Sequence, residues 1–202
     1  MGHVGSHRPP RWDIRALRRH LMDMGSLAPD VAIASTVQLA AAGDEVAFAR
    51  IVAAHRAEMV RVSYVVCGDW DIAQDAAQAA LWIAWRKLPS LRDPARLRPW
   101  LMSVAVNEAR AILRRLRRHP VVELPIATDG TGTGDPGDEI GQVDLANALH
   151  RLSPEDRALV ALRYLAGLDS AEIGTLTGRS ASGVRTRLSR VLDHLRKELG
   201  DD

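Results

Sequence analysis

Residues 149–199 read LHRLSPEDRALVALRYLAGLDSAEIGTLTGRSASGVRTRLSRVLDHLRKEL. Two helices and the turn between them are legible there. Asp169 or Ser170 is a good N-cap, because a short side-chain oxygen accepts from the free N–H groups of a first helical turn. The helix it opens runs through Leu176 and Thr177, and Gly178 supplies the turn, where a positive φ costs least. Ser180 or Ser182 caps a second helix that runs to about Leu199. On it Val184, Leu188, Val191, Leu195 and Leu199 recur at helical spacing and form one apolar stripe. At roughly 100° per residue, Ser182, Arg185, Thr186, Ser189 and Arg190 fall on the opposite face. Such a helix suits a major groove, where arginine reaches guanine edges with two N–H groups and Ser and Thr serve bases or phosphates. A solvated amphipathic helix in an ordinary bundle would carry the same stripe, so the rest of the chain has to decide.

The 202 residues fit one domain or two small ones, and 47% hydrophobic content allows a packed core. Aromatics make up only 4%, with Ala and Leu dominant, so the core is predicted to be built from helices. Net charge is +2, yet the isoelectric point is near 9.1, and the basic residues are local, at Arg110–Arg118 and Arg179–Lys197. Local clusters fit nucleic acid better than uniform basicity does. Cys67 is the single cysteine, which excludes an internal disulfide and leaves it as a small buried apolar residue. No apolar run is long enough to span a membrane and no signal-peptide core is seen, so the expectation is a cytoplasmic protein with no membrane insertion.

Residues 1–35 form an N-terminal extension. Its first ten residues read as disordered, and Trp12–Met24 reads as a short basic helix with Trp12, Ile14, Leu17 and Leu21 inward. A regulatory arm, a partner-docking helix and an over-called start fit that helix equally. Residues 36–119 form a first helical domain. Val31–Ala42 is helical; Asp44 caps a helix over Glu45–Cys67, with Val46, Phe48, Ile51, Val52, Met59, Val62 and Val66 as core; Gly68 ends it. Further helices are predicted over Asp71–Leu88 and Trp100–Arg118, with Leu91–Pro99 as a loop between them. Residues 120–141, rich in Gly, Asp, Thr and Pro, read as a flexible acidic linker. Residues 142–202 form the second domain, with helices at Val143–Arg151 and Pro154–Leu165 before the helix-turn-helix.

This pairing resembles the extracytoplasmic-function (ECF) sigma factors of the sigma-70 family. GDEVAFARIVAAHR from Gly43, DAAQAALWIAW ending at Trp85 and RPWLMSVAVNEARAILRR from Arg98 are similar to the landmarks of sigma region 2, in order. LSPEDRALVALRYLAGL leading into EIGTLTGRSASGVRTRLSR resembles region 4. The resemblance implies an all-α fold of two small helical domains. It implies a protein that binds core RNA polymerase at the β′ clamp and β flap, recognises −35 and −10 promoter elements and promotes melting. It implies no enzymatic activity, no cofactor and no metal, and an anti-sigma factor as a further partner.

Three sets of residues follow. On the helix from Asp71, the residues Asp71, Asp75, Gln78, Trp82 and Arg86 share a narrow arc. An aromatic rimmed by polar groups is typical of interfaces, and in the family this Asp-x-x-Gln stretch meets the polymerase clamp, so these five are the expected polymerase contact. Trp82 packing on another part of the chain is the competing account; Trp85 is assigned to the core. On the helix from Trp100, the apolar arc Trp100, Leu101, Val104, Ala105, Ala111, Ile112 and Leu116 backs a polar stripe of Ser103, Asn107, Arg110, Arg114 and Arg117. Asn107 matches the family's Asn; its amide suits a base edge, and the arginines suit phosphates at the −10 element. The preceding SLRDPARLRP segment lacks an aromatic, so stacking on a flipped base falls to Arg92, Arg96 or Arg98. For the −35 element the expected contacts are Ser180, Ser182, Arg185, Thr186, Arg187, Ser189 and Arg190.

The chain departs from the family at Gln74, Ala79, Val106, Arg179 and the Ser182-Gly183 pair, which bear on promoter sequence and polymerase affinity. Other functions fit less well. A stand-alone helix-turn-helix regulator leaves the first domain unexplained and would usually dimerise on a palindromic site. An enzyme acting on nucleic acid lacks a motif: the seven histidines are scattered, and no His-Glu-x-x-His or P-loop is present. His55 and His150 are expected at the surface or at helix ends.

Overall fold

A computed structural model describes residues 31–118, 145 and 147–199, and every regular element among them is helical. Helices α1 (Val31–Ala41), α2 (Glu45–Cys67), α3 (Trp70–Lys87) and α4 (Leu97–Arg118) make the first unit. The second unit contains helical residues 147–151, then α5 (Pro154–Val160), α6 (Ser170–Thr177) and α7 (Ala181–Glu198). A single π turn, Ala161–Leu165, extends α5. The predicted N-terminal helix and the predicted linker lie outside the described residues.

Local chemistry sets the boundaries. Asp44 Oδ1 accepts from the Ala47 N–H at 2.9 Å and opens α2, and Asp69 does the same for Ile72 at 2.9 Å and opens α3. Each such cap is worth about 1 kcal/mol. Gly68 closes α2 at φ 77°, donating its N–H to the Tyr64 carbonyl. A β-carbon there would also lie 2.2 Å from the His150 ring, so Gly68 serves both a turn and an inter-unit contact. One 3₁₀ turn, Leu88–Ser90, precedes the Leu91–Pro99 segment and a second, Pro94–Arg96, lies inside it, and α4 begins three residues before the predicted start. In the second unit the Ser153 hydroxyl caps α5, and Asp169 forms a full capping box with Glu172 on α6.

Helices α2, α3 and α4 pack on one another, and α1 lies on α2. The inner face of α3 is Ala73, Ala76, Ala77, Ala80 and Ala84, all fully buried. Such small side chains let neighbouring helices approach closely. Larger residues fill the rest: Met59, Val62, Val66, Leu88, Leu97, Leu101 and Met102. The two expected helical units are both present, and they share this core. Ala158, Leu159, Leu162, Leu165, Ile173, Val184 and Leu188 belong to the same buried cluster, while Leu145, Ala148, Leu149, Leu152, Val160, Val191 and Leu195 form a smaller one.

Several side chains sit elsewhere than the pattern suggests. Val46, expected in the core, is 64% exposed on the first turn of α2, and Leu116 is 45% exposed near the end of α4. Met102, Val106 and Ala109 are buried instead, since α5 and the π turn pack against α4 and add a second covered side. His55 is buried, not superficial: burial lowers its pKa, the Glu58 charge pulls it up and the Arg98 charge pushes it down. His150 is half-buried, edge-on to Tyr64, with burial and then the Arg157 charge lowering its pKa. Cys67 is half-buried, and burial pushes its thiol up to about 12.

Candidate functional site

The residues singled out by sequence fall on three surfaces. On α3, helical spacing sets Asp71, Asp75, Gln78, Trp82 and Arg86 along one side, and all five are exposed. Trp82 is 63% exposed, which is unusual for the largest apolar side chain. With Asp75 and Gln78 it lines an open groove of about 850 Å³ between α2 and α3, whose other walls include Phe48, Val52 and Leu81. Trp85 also lines this groove and is half-buried, its ring tilted against Phe48 at 4.8 Å. The residue assigned to the core is thus the floor of a surface groove, with Glu45 and Asp75 giving it an acidic rim.

On α4, Arg114 and Arg117 are exposed, while Asn107 and Arg110 are half-buried. Burial lowers the Arg110 pKa, and the neighbouring Arg114 charge adds to that. Ser103 leaves the stripe: it is buried and its hydroxyl donates to the Trp100 carbonyl at 2.7 Å, which ends its candidacy as a DNA contact. In the turn before α4, Arg92 is exposed, and Arg96 forms an ion pair with Glu172 of α6. Arg98 donates from Nε to Glu58 at 3.2 Å and from Nη2 both to Glu58 and to the Leu165 carbonyl, the last at 3.0 Å.

On α7, Val184, Leu188, Val191 and Leu195 are buried, and Ser182, Arg185, Thr186, Ser189 and Arg190 are exposed on the far side. Ser180 is the N-cap: its hydroxyl accepts from the Gly183 N–H at 3.1 Å and lies 3.1 Å from the Ser182 hydroxyl. Arg187 is drawn aside into an ion pair with Asp156 of α5 at 2.6 Å, and that bond raises its pKa. Burial pushes the Asp156 carboxyl up, but hydrogen bonds from Arg187 and Ser153, with the Arg187 and Arg179 charges, outweigh this and hold it low.

Sequence reasoning missed the acids that hold these arginines: Glu58, Asp156 and Glu172. The pairs span 31 to 76 positions, beyond any local spacing rule. The one local signal for any of them is the Asp169-x-x-Glu172 capping-box spacing, which gives Glu172 a structural task. Among the described residues no group of three or more His, Cys, Asp or Glu is placed to hold a metal ion, and no helix is long and apolar enough to cross a membrane.

The described residues are all-helical, with a capped helix-turn-helix, a row of exposed arginines on its second helix and a tryptophan-lined groove on a separate unit, which defines the class of two-unit helix-turn-helix proteins. Comparison with known proteins narrows the class. The profile of Sigma-70 region 2 matches residues 51–119, and that of Sigma-70, region 4 matches residues 142–195. A protein described as "Probable RNA polymerase sigma factor RfaY" of Xanthomonas campestris pv. campestris is 33% identical over 168 residues. That match spans 79% of this chain but 42% of the relative. The ECF RNA polymerase sigma factor SigM of Mycobacterium tuberculosis is 30% identical over 167 residues, 79% of this chain and 80% of the relative. In the solved structure of CnrH in complex with the cytosolic domain of CnrY, the matched chain shares the fold at a TM-score of 0.59 and 23% identity, covering 85% of this chain and 99% of that one. The chain belongs to the ECF sigma factors of the sigma-70 family, whose members are generally transcription-initiation factors and not enzymes.

Proposed function

We propose that this chain works in the cytoplasm, binds core RNA polymerase and directs it to promoters through two separate DNA-facing surfaces, with no catalysis, cofactor or metal of its own. Asp71, Asp75, Gln78, Trp82 and Arg86 form the polymerase contact, with Trp82 as anchor beside the α2–α3 groove. Asn107, Arg110, Arg114 and Arg117, with Arg98 from the first turn of α4 and Arg92 and Arg96 from the turn before it, serve the −10 element. Ser182, Arg185, Thr186, Ser189 and Arg190 serve the −35 element; Ser180 acts mainly as the cap, and Arg187 joins them once it leaves Asp156. An anti-sigma factor is the further partner, competing for the α3 surface.

The observation that carries this reading is the tryptophan. Trp82 stays 63% exposed on a helix whose inner alanines, Ala73, Ala76, Ala77, Ala80 and Ala84, are fully buried, so the chain keeps an apolar anchor for a protein partner. A stand-alone regulator would have no use for it. Co-elution with bacterial core polymerase tests the reading, beside a Gln78→Ala, Trp82→Ala double variant. Stable co-elution that the variant loses is the expected outcome. Failure of the wild-type chain to bind at micromolar concentration, with any anti-sigma protein removed, would overturn it.

A further inference from the structure

We infer that residues 12–24, the basic amphipathic stretch ahead of α1, lie as a helix in the α2–α3 groove of the same molecule and cover Trp82 in the free protein. The occupancy stands on the groove and on the sequence; only its effect on polymerase rests on the proposed function.

The α2–α3 groove has the form of a helix seat. Phe48, Val52, Leu81, Trp82 and Trp85 line it, and Val46, 64% exposed, lies one turn before the lining Ala49 and widens its apolar face. An apolar groove with a polar rim marks a binding surface. A cleft between two helices takes a third helix that brings apolar side chains at three- and four-residue steps. The α3 wall runs from Asp75 to Trp85, about 15 Å at the helical rise.

Residues 12–24 carry a row that matches. Ile14, Leu17, Leu21 and Met24 recur at those steps and fall within an arc of about 80°. From Ile14 to Met24 the row is also about 15 Å long. Arg11, Arg15 and Arg18 stand along one edge of it, and between positions 11 and 24 four arginines face only two aspartates. The groove rim has the opposite sign: Glu45 and Asp75, with the exposed Asp71 one turn before Asp75. The apolar row supplies the burial, and the charges select a basic helix over an acidic one.

The chain can also reach. Helix α1 packs on α2 and on the Leu88–Ser90 turn, which starts three residues after Trp85 at one end of the groove. At 11 residues α1 is about 16 Å long, so Val31 lies within roughly one helix length of that contact. Residues 25–30, GSLAPD, stretch to about 20 Å, enough to return a helix ending at Met24 onto the groove. Gly25 and Pro29 punctuate the chain where it must turn back. A tether that short gives a millimolar effective concentration, so a weak contact is sufficient to keep the groove covered. Of the three roles that fit this segment by sequence, the groove selects the regulatory arm: core polymerase must displace it to reach Gln78 and Trp82.

Distances between spin labels on the full chain test this. Labels go at Arg19, on the side of the segment away from the apolar row, and at Ala57, exposed on α2 beyond the groove, in a Cys67→Ala background. The free protein is expected to give one narrow distance of roughly 20–35 Å, set by helix rise and packing distance. The broad distribution of a loose tail would overturn the inference. So would a distance between two singly labelled chains mixed together, since the occupant would then be a second copy. Leu17→Glu with Leu21→Glu touches none of the described core and is expected to broaden the distribution; a narrow distance that survives it would overturn the apolar docking. A groove covered nine-tenths of the time lowers apparent polymerase affinity about tenfold. The double variant is therefore expected to bind core polymerase about tenfold more tightly than wild type, and equal affinities would overturn the competition. A narrow distance in a chain that fails to co-elute with polymerase even as the double variant would sink the proposed function and leave the segment in its groove.

Discussion

Helices α4 and α7 are both amphipathic and arginine-rich, yet they differ in how many neighbours they have. α7 lies last in the described chain and buries a single stripe, so its polar face is open apart from Arg187, which pairs with Asp156. α4 is central, covered by α2 and α3 on one side and by α5 and the π turn on another. Its buried set is wider than one stripe and takes in Met102, Ser103, Val106 and Ala109. A recognition surface on a peripheral helix is therefore set by that helix alone, while one on a central helix is set by whatever packs on it. The outer face of α7 stands free except at Arg187, which Asp156 holds, and the arginines at the start of α4 and in the turn before it are partly held by the other half of the protein.

Truncating the apolar sides should give the largest contrast. Leu101 is fully buried on α4 and Leu188 nearly so on α7, and Leu→Ala at either is expected to cost about 2–5 kcal/mol in urea unfolding, with Leu101→Ala the more severe. Leu116→Ala, on the exposed end of α4, should change stability by less than about 0.5 kcal/mol. Equal losses at Leu101 and Leu116 would erase the two-sided account of α4.

Next come the polar faces. Arg185→Ala and Arg190→Ala should each weaken binding of polymerase holoenzyme to a promoter by about tenfold, with the loss confined to promoters that carry the matched −35 sequence. Arg114→Ala on α4 should weaken binding more evenly across sequences and lower the salt slope by about one, measured by titration at several salt concentrations. Sequence-dependent losses at Arg114 would move it from phosphate to base contact and blur the contrast.

The smallest effect is a pH dependence. His55 and His150 have lowered pKa values, so the unfolded chain binds more protons than the folded one in the acid range. Their contribution to stability is present above the ordinary imidazole value of 6.5 and is lost as pH falls through their lowered values. The lowered Asp156 acts in the same direction at more acid pH, being lost only as its carboxyl protonates. Thermal melts from pH 7.5 to 5 should show falling stability, and His150→Gln should flatten that slope without unfolding the chain. A flat wild-type profile would contradict the burial of both rings.

The parts of the molecule legible in sequence are those fixed by neighbours in sequence. The span of α2, its Asp44 cap and its Gly68 terminus follow from spacing and cap chemistry, as do the α7 stripe and the Gly178 turn. The exposed side of α3 was also legible, because an alanine face opposite Trp82 leaves little choice about which way the helix turns. What spacing cannot carry is the arrangement of one unit on the other. Arg98 reaches Glu58 forty positions away and Leu165 sixty-seven away. His55 and Ser103 are buried because distant segments cover them, and Val46 falls on the outward side of α2 while the adjacent Ala47 is buried. The five-residue π turn inside the predicted Pro154–Leu165 helix has no composition signal of its own.

The alanine face of α3 also sets how this protein can vary. At Ala73, Ala76, Ala77, Ala80 and Ala84 there is no spare volume, and each added methylene would force helices apart at a cost of about 1–3 kcal/mol. One side of the helix is closed to mutation while the other, around Asp75, Gln78 and Trp82, is open to it. A lineage, or a laboratory selection, can therefore rewrite the outer side of α3 by single substitutions without drawing on the stability of the fold.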